Sequence, residues 1–197
     1  MHTKTTPLKP FKQDFTTCEN DSESTVEFFA IRKNMTVMFF QNGVCKRWEE
    51  LHPQLFTIMA NAYQKDAGAK QYLESWNLNY NRQVELFTYF GWGTLDHQPD
   101  ILNGVLQPCE NFRHGEDCPS VHFDTKEFTI NRQPLNKRDL QIIDVAASGL
   151  SNLVAAEKLG IAISTYNSQK ADLFKKTGTD NVVSLVMAAA KEKLIAS

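Results

Sequence analysis

Residues 148–178 constrain the fold more than any other stretch, because they contain two short helical patterns separated only by a tight turn. Ser151 is placed to cap the first pattern, and Gly160 ends it. The side chains expected to face inward on this helix are those of Val154, Ala155 and Leu159. The small Ala155 and Ala156 predict a close crossing with the helix that follows.

The second pattern begins at Ser164 or Thr165 and runs to Thr177. Its inward positions are expected to be Tyr166, Gln169 and Leu173. The other face carries hydroxyl, amide and lysine side chains, which a small core does not require. These two patterns therefore predict a helix-turn-helix unit whose polar face binds a partner outside the chain.

Two further helical patterns flank this unit. The first, LNKRDLQIIDVAASG, starts with Asn136 as a cap and Asp139 three residues later, and Gly149 marks its end. Its inward positions are Leu140, Ile143, Val145 and Ala146. A last helix is predicted from Asn181 to about Leu194, with an apolar face formed by Val182, Leu185, Val186 and Ala189. The region 135–197 is thus predicted to be an all-α domain of four helices.

The anchor residues of this region keep one register across three helices and two turns. They are Leu135-Asn136-Lys137-Arg138-Asp139, Ala147-Ser148-Gly149-Leu150-Ser151-Asn152, Ala156, Leu159-Gly160-Ile161, Ser164-Thr165-Tyr166 and Lys176-Thr177-Gly178-Thr179-Asp180-Asn181. The pattern resembles the LuxR-type DNA-binding domain over residues 135–195 without a gap. Four positions depart from the usual family residue: Tyr166 replaces Val, Gln169 replaces His, Ala162 replaces Ser, and Val182 replaces Arg. The resemblance implies a bacterial transcription regulator, and the loss of the Arg bears on affinity for DNA rather than on architecture.

The polar face of the third helix is the expected DNA contact, since a helix about 10–12 Å across fits the major groove. Positions expected to point away from the core are Asn167, Ser168, Lys170, Ala171 and Lys175, and the predicted DNA-binding set is completed by Ser151, Thr165 and Lys176. Lysines suit phosphates or guanine, asparagine suits adenine, and an alanine methyl suits thymine. In LuxR-type domains the helix corresponding to residues 181–194 often forms a dimer contact. The resemblance therefore implies a homodimer on a palindromic site in double-stranded DNA.

Composition and charge are typical of a globular protein, with 42% apolar and 22% charged residues. Residues 131–197 hold nine Lys and Arg against six Asp and Glu, a balance of +3, whereas residues 1–130 have a balance of −5. This asymmetry indicates that a polyanionic partner would bind to the C-terminal third of the chain. No apolar run approaches the roughly 18 residues of a membrane span. The polar start predicts no signal peptide, so a cytoplasmic location without a membrane partner is expected.

The front of the chain predicts a different kind of domain. Residues 1–24 are polar and are expected to form a flexible tail. Residues 25–92 predict a small α+β domain, in which a two- or three-stranded antiparallel sheet precedes three helices. Its strands are TVEFFAIR and MTVMFFQ, with Asn42-Gly43 as a turn, and its helices lie within residues 53–66, 69–76 and 81–92. Glycines and prolines then make 93–134 a loop-rich connector.

Four potential metal ligands lie in that connector with the spacing C-x4-H-x3-C-x3-H: Cys109, His114, Cys118 and His122. Two thiolates and two imidazoles could complete a tetrahedral zinc site. The usual C-x2-C knuckle is absent, so an ordinary loop with two reduced thiols is the favoured interpretation and no cofactor is expected. Cys109 and Cys118 alone also fit a redox-sensitive pair.

The front portion faintly resembles a group of small, uncharacterised bacterial regulators found especially in Bacteroidetes, through NRQVELFTYFGWGTLDHQPDI at 81–101 and the C-x8-C-P step that follows. A third cysteine after Cys118 is lacking. The order of elements excludes a phosphoreceiver. No G-x-S-x-G elbow, P-loop, Rossmann fingerprint or HExxH motif is present, so an enzyme is not expected. Two alternatives remain: an adaptor that docks on RNA polymerase or another regulator, and a metal- or thiol-responsive sensor.

Overall fold

The computed structural model describes residues 25–195, so the tail predicted for residues 1–24 lies outside the described residues. Within residues 25–195 the chain has seven α-helices and three small antiparallel sheets, which makes it a mixed α and β protein. None of the helices in this range is both long and apolar enough to span a lipid bilayer.

The first sheet has three antiparallel strands in the order β1-β2-β3. They are β1 (Glu27–Ile31), β2 (Thr36–Gln41) and β3 (Val44–Arg47). Phe28 pairs with Phe39 across the first two strands, and both side chains are fully buried. Asn42 and Gly43 form the second turn with φ of 53° and 73°, the left-handed conformation that an Asn-Gly turn favours. The predicted sheet is confirmed.

The three predicted helices follow, and α3 packs against β1 and β2. They are α1 (Pro53–Lys65), α2 (Ala67–Glu74) and α3 (Tyr80–Gly91). Helix α3 is central, since every residue from 84 to 91 is buried. Its Glu85 accepts a hydrogen bond from the Val37 amide at 3.0 Å and another from Arg82 at 2.7 Å, which fixes α3 against β2.

The segment 93–134, predicted as a loop-rich connector, contains four short strands and a 3-10 turn at Pro119–His122. The strands form two hairpins: β4 (Ile101–Leu102) with β5 (Val105–Leu106), and β6 (Phe128–Ile130) with β7 (Gln133–Leu135). The buried Asp66 carboxylate holds the segment to α2. It accepts hydrogen bonds from the amides of Asp124 and Thr125 at 2.9 Å, from the Thr125 hydroxyl at 2.7 Å, and from the Ala69 amide at 2.7 Å.

The C-terminal region is helical in the predicted order. Its helices are α4 (Lys137–Ala147), α5 (Asn152–Lys158), α6 (Ile163–Thr177) and α7 (Val182–Lys191). Asn136 and Asp139 form the predicted capping box, and Asn181 caps α7. Gly149 has a φ of 67°, so the chain leaves α4 in a conformation that glycine adopts without strain.

Two apolar clusters form the core. One joins the first sheet to α1, α2 and α3, and the other joins β6 to α4, α5, α6 and α7. Arg113, in the segment 93–134, contacts the C-terminal region, because its guanidinium donates to Asp144 at 2.9 Å and to the Leu194 carbonyl at 2.8 Å. Both ionic side chains are nearly inaccessible, at 1% and 10% exposure. A buried, paired charge thus connects the segment 93–134 to the C-terminal helices.

Candidate nucleic-acid interface

The α5–α6 pair begins as the sequence predicts. Ser151 caps α5 through a hydrogen bond from the Val154 amide to its hydroxyl at 3.4 Å, and Ala155 and Ala156 are buried against α6. Gly160, with a φ of 65°, turns the chain. The prediction for Val154 was wrong: its side chain is 44% exposed, because the two alanines that follow it occupy the short contact face of α5.

Helix α6 starts at Ile163 rather than at the predicted Ser164 or Thr165. Ala162 takes the capping position and supplies no side-chain hydrogen bond. The early start is possible because the Tyr166 amide already bonds to the Ala162 carbonyl at 3.0 Å, which closes the first turn. The earlier start lengthens α6 by one residue relative to a start at Ser164.

The inward face of α6 is anchored by three buried side chains, those of Tyr166, Leu173 and Thr177. Burial raises the pKa of Tyr166, so this phenol stays neutral. The Thr177 hydroxyl donates to the Leu173 carbonyl at 2.8 Å, and Asn131 donates to the Thr177 carbonyl at 2.7 Å. The helix is therefore held by its core face and, at its end, by the β6–β7 hairpin.

Gln169, predicted to face the core, is only half-buried. The side-chain oxygen Oε1 of Gln169 is nevertheless inaccessible and has no hydrogen-bond partner among residues 25–195. An unpaired buried acceptor is unfavourable. Gln169 therefore lies at the edge of the core, between the anchored and the open faces of α6.

The outward face of α6 is polar and open. Five predicted DNA-binding residues are exposed there: Thr165, Asn167, Ser168, Ala171 and Lys175. Positions 165, 168, 171 and 175 follow helical spacing, so their side chains lie along one stripe. Lys175 is 82% exposed and approaches Asp172 only at 4.0 Å, a pair too exposed to hold the lysine in place.

Asp172 belongs to the same stripe, and the sequence analysis did not include it. Its side chain is 72% exposed, and it lies four residues after Ser168 and three before Lys175. This spacing would have identified Asp172 from the sequence, because residues three and four apart lie on the same face of a helix. A carboxylate on this face can accept a hydrogen bond from a cytosine amino group and repels phosphates.

Two of the lysines predicted to bind DNA contact other residues of the protein instead. The Lys176 ammonium pairs with the buried Asp139 at 2.7 Å, and so ties α6 to the start of α4. Lys170 was expected to point away from Tyr166, but its ammonium lies 5.0 Å over that ring and donates to Asn152 at 2.7 Å. The physical reason is the i, i+4 spacing of Tyr166 and Lys170, which puts them on one side of the helix.

The four residues of the predicted zinc set have separate surroundings. The Cys109 thiol faces the Thr125 hydroxyl at 3.7 Å, and the buried Cys118 thiol faces Ser120 at 3.1 Å. His122 stacks on Tyr72 with ring centroids 4.4 Å apart. His114 packs against Tyr89 at 4.7 Å.

These surroundings do not assemble a metal site. Among residues 25–195, no three His, Cys, Asp or Glu side chains converge as metal ligands, and Cys109 and Cys118 are both free thiols. Burial raises the pKa of Cys109 to about 11, which disfavours the thiolate that binds metals or reacts with oxidants. The structure therefore does not bring the predicted ligands together.

Comparison with known proteins gives a similarity to a curated regulatory protein. The chain is 35% identical over 72 residues to the oxygen regulatory protein NreC of Staphylococcus aureus, in strains JH9 and JH1 alike. The match covers 36% of this chain and 33% of that protein, so the chain spans about a third of the length of the curated relatives it matches. No protein-family model and no solved structure gives a significant match. By its name, this relative is a regulatory protein.

Proposed function

We propose that the protein is a DNA-binding transcription regulator in which α6 enters the major groove. The observation that carries the proposal is the asymmetry of α6: its inner face is anchored by buried contacts, and its outer face is polar and open. The LuxR-type anchor residues and the similarity to a regulatory protein agree with it. We assign DNA binding to residues 135–197 and a cytoplasmic location to the whole protein.

Base readout is assigned to Thr165, Ser168 and Ala171 on this stripe, with Asn167 beside it, and Lys175 is assigned to a phosphate contact. Hydroxyls can donate or accept at base edges, the Ala171 methyl suits thymine, and Lys175 suits a phosphate. Asn167 is the residue best suited to adenine, since an amide can both donate and accept there. Asp172 adds a preference for cytosine and disfavours a phosphate at its position.

Contacts with the phosphate backbone of DNA are assigned to the ends of the helices. Ser151 begins α5 with an exposed side chain, and amides at a helix N-terminus attract phosphate. Lys170 and Lys176 are left out of the DNA-binding set, because their ammonium groups already hold Asn152 and Asp139. On the outer face of α6 the exposed lysine is then Lys175, and affinity per monomer is expected to be modest.

A homodimer on a two-fold symmetric site would compensate for that modest affinity. Helix α7 offers a surface for it, because Val183 and Met187 are one turn apart and are 72% and 66% exposed. Apolar side chains that open to solvent at i and i+4 form a stripe suited to a second copy of the same helix.

The proposal is tested by selection from a random DNA duplex pool with the full-length protein at two salt concentrations. Asn167→Ala is expected to lose sequence preference, whereas Lys175→Ala is expected to weaken binding to all sequences and to lower the salt slope by about 1. Lys65→Ala is the matched control, since Lys65 is an exposed lysine on α1, outside the helical region. A two-fold symmetric enriched site would support the dimer.

Absence of any enriched sequence at either salt would refute direct readout. A specific observation then favours an adaptor as the second function: Leu150, Leu153, Val154 and Ile163 are exposed at the starts of α5 and α6. Such an apolar group suits a protein partner, RNA polymerase or another regulator. Binding to that partner would be insensitive to Asn167→Ala and sensitive to Leu153→Ser.

A further inference from the structure

A cavity of about 250 Å³ lies between the end of β1, the segment that follows α3, and the end of α7. Arg32 contributes from beyond β1, Thr94 and His114 from the middle of the chain, and Ala190 and Lys193 from the end of α7. Its walls thus come from both the N-terminal and the C-terminal part of the described chain.

The cavity is positively charged. Arg32 and Lys193 are exposed side chains that form no hydrogen bond or ion pair with any residue between 25 and 195. Arg113 also lines the cavity, but Asp144 neutralises it. No aspartate or glutamate is among the lining residues. Two unpaired cations beside a concave surface attract an anion.

One polar atom in the wall lacks a partner as well. The Nε2 atom of His114 is inaccessible and makes no hydrogen bond within residues 25–195. Burial, together with Arg32, lowers the pKa of His114 to about 4, so its ring is neutral at pH 7. Unsatisfied buried polar groups are uncommon and call for an explanation, such as a role in binding.

The rest of the wall is apolar. The Phe112 ring is buried, and Ala190 lies on the opposite, C-terminal side. A small cavity that combines apolar walls with a few polar groups is the usual form of a small-molecule site. An inorganic anion would leave the apolar wall unused.

We propose that this cavity binds a small organic carboxylate, with its charged end at Arg32 and Lys193 and its apolar body against Phe112. The bound molecule would contact both the N-terminal part and α7, and so would hold them together. The proposal goes beyond DNA binding and does not depend on it, because binding of the carboxylate is measured without DNA.

The test uses benzoate and hexanoate as probes, with benzamide as the neutral counterpart of benzoate. Full-length protein labelled with 15N is titrated and amide shifts are followed. At least one carboxylate is expected to bind with a Kd in the millimolar range, to shift the amides of Gly93, Thr94 and His114, and to leave those of α6 unchanged. Arg32→Gln is expected to raise the Kd roughly ten-fold, the effect of losing one charge-assisted hydrogen bond.

Lys33→Gln is the matched control, because Lys33 is the exposed cation next in sequence and does not line the cavity. Lys193→Gln provides a second variant should Arg32→Gln disturb the fold, and it is also expected to weaken binding. The proposal is overturned if neither carboxylate binds, if benzamide binds as tightly as benzoate, or if Lys33→Gln weakens binding as much as Arg32→Gln.

Discussion

Arg113→Met is expected to be among the most destabilising single substitutions in the chain. The guanidinium donates to Asp144 at 2.9 Å and to the Leu194 carbonyl at 2.8 Å, and it is 1% exposed. Removing one partner of a buried ion pair costs about 3–5 kcal/mol, because the other charge stays buried without compensation. With a urea m-value of about 2 kcal/mol/M, a loss of 4 kcal/mol lowers the unfolding midpoint by about 2 M.

The double variant Arg113→Met with Asp144→Leu separates this explanation from loss of packing. An apolar pair leaves no buried charge, so only the Leu194 carbonyl is deprived of a donor, which costs about 1–2 kcal/mol. Urea unfolding followed by circular dichroism gives both free energies of unfolding. A double variant less stable than Arg113→Met alone would refute the reasoning.

The pH dependence of Arg113→Met provides a second check. Burial already raises the pKa of Asp144, and Arg113 lowers it, so the substitution raises it further. A group whose pKa is raised by folding stabilises the protein at low pH and loses that contribution as the pH rises. Arg113→Met should therefore be more destabilising at pH 8 than at pH 5, and the opposite order would contradict this assignment.

Three further predictions concern the N-terminal part of the protein. Asp66→Ala removes an acceptor of four hydrogen bonds and is expected to lower the free energy of unfolding in urea by about 3–5 kcal/mol. Burial raises the pKa of Asp100 to about 9 and that of Glu110 to about 7. The free energy of unfolding should therefore fall as the pH rises from 6 to 9. Asp100→Asn should reduce this pH dependence, as measured by urea unfolding. Gly68→Ala should lower the thermal midpoint, because its added Cβ would lie 1.9 Å from the His122 carbonyl oxygen.

Two of these have a control variant within the chain. For Asp66→Ala it is Asp117→Ala, which removes an exposed carboxylate from the segment 93–134 and should change stability little. An Asp66→Ala effect as small as that of Asp117→Ala would mean that the four hydrogen bonds contribute nothing. Stability that rises between pH 6 and 9 would refute the burial of protonated Asp100. For Gly68, the comparison is Gly43→Ala: Gly43 has open space around it but a φ of 73°, so its cost comes from backbone strain alone.

Local rules were sufficient for the boundaries of most elements. The caps at Asn136 and Ser151 lie where the sequence predicts them, because a cap depends only on residues within one turn. The start of α6 differs by one residue, since Ala162 takes a capping position without the side chain that would mark it. The three-stranded sheet was predictable for a similar reason, from short β-branched and aromatic runs joined by an Asn-Gly turn.

The contacts made by individual polar side chains could not be predicted from neighbouring residues. Lys170, Lys175 and Lys176 are alike in sequence, yet only Lys175 remains open on the outer face of α6. The partner of Lys176 is Asp139, 37 positions earlier, and no local pattern reveals such a contact. The same applies to the four Cys and His residues, whose spacing suited a metal although the folded chain separates them.

The sequence by itself determined the order of elements, the helix caps and the presence of a polar face on the third C-terminal helix, because these depend on neighbours along the chain. Only the tertiary structure decided which lysines are free, where the buried Arg113 charge is paired, and that Arg32 and Lys193 line one cavity. Those features depend on residues far apart in sequence, whose side chains meet only after the two apolar clusters have packed.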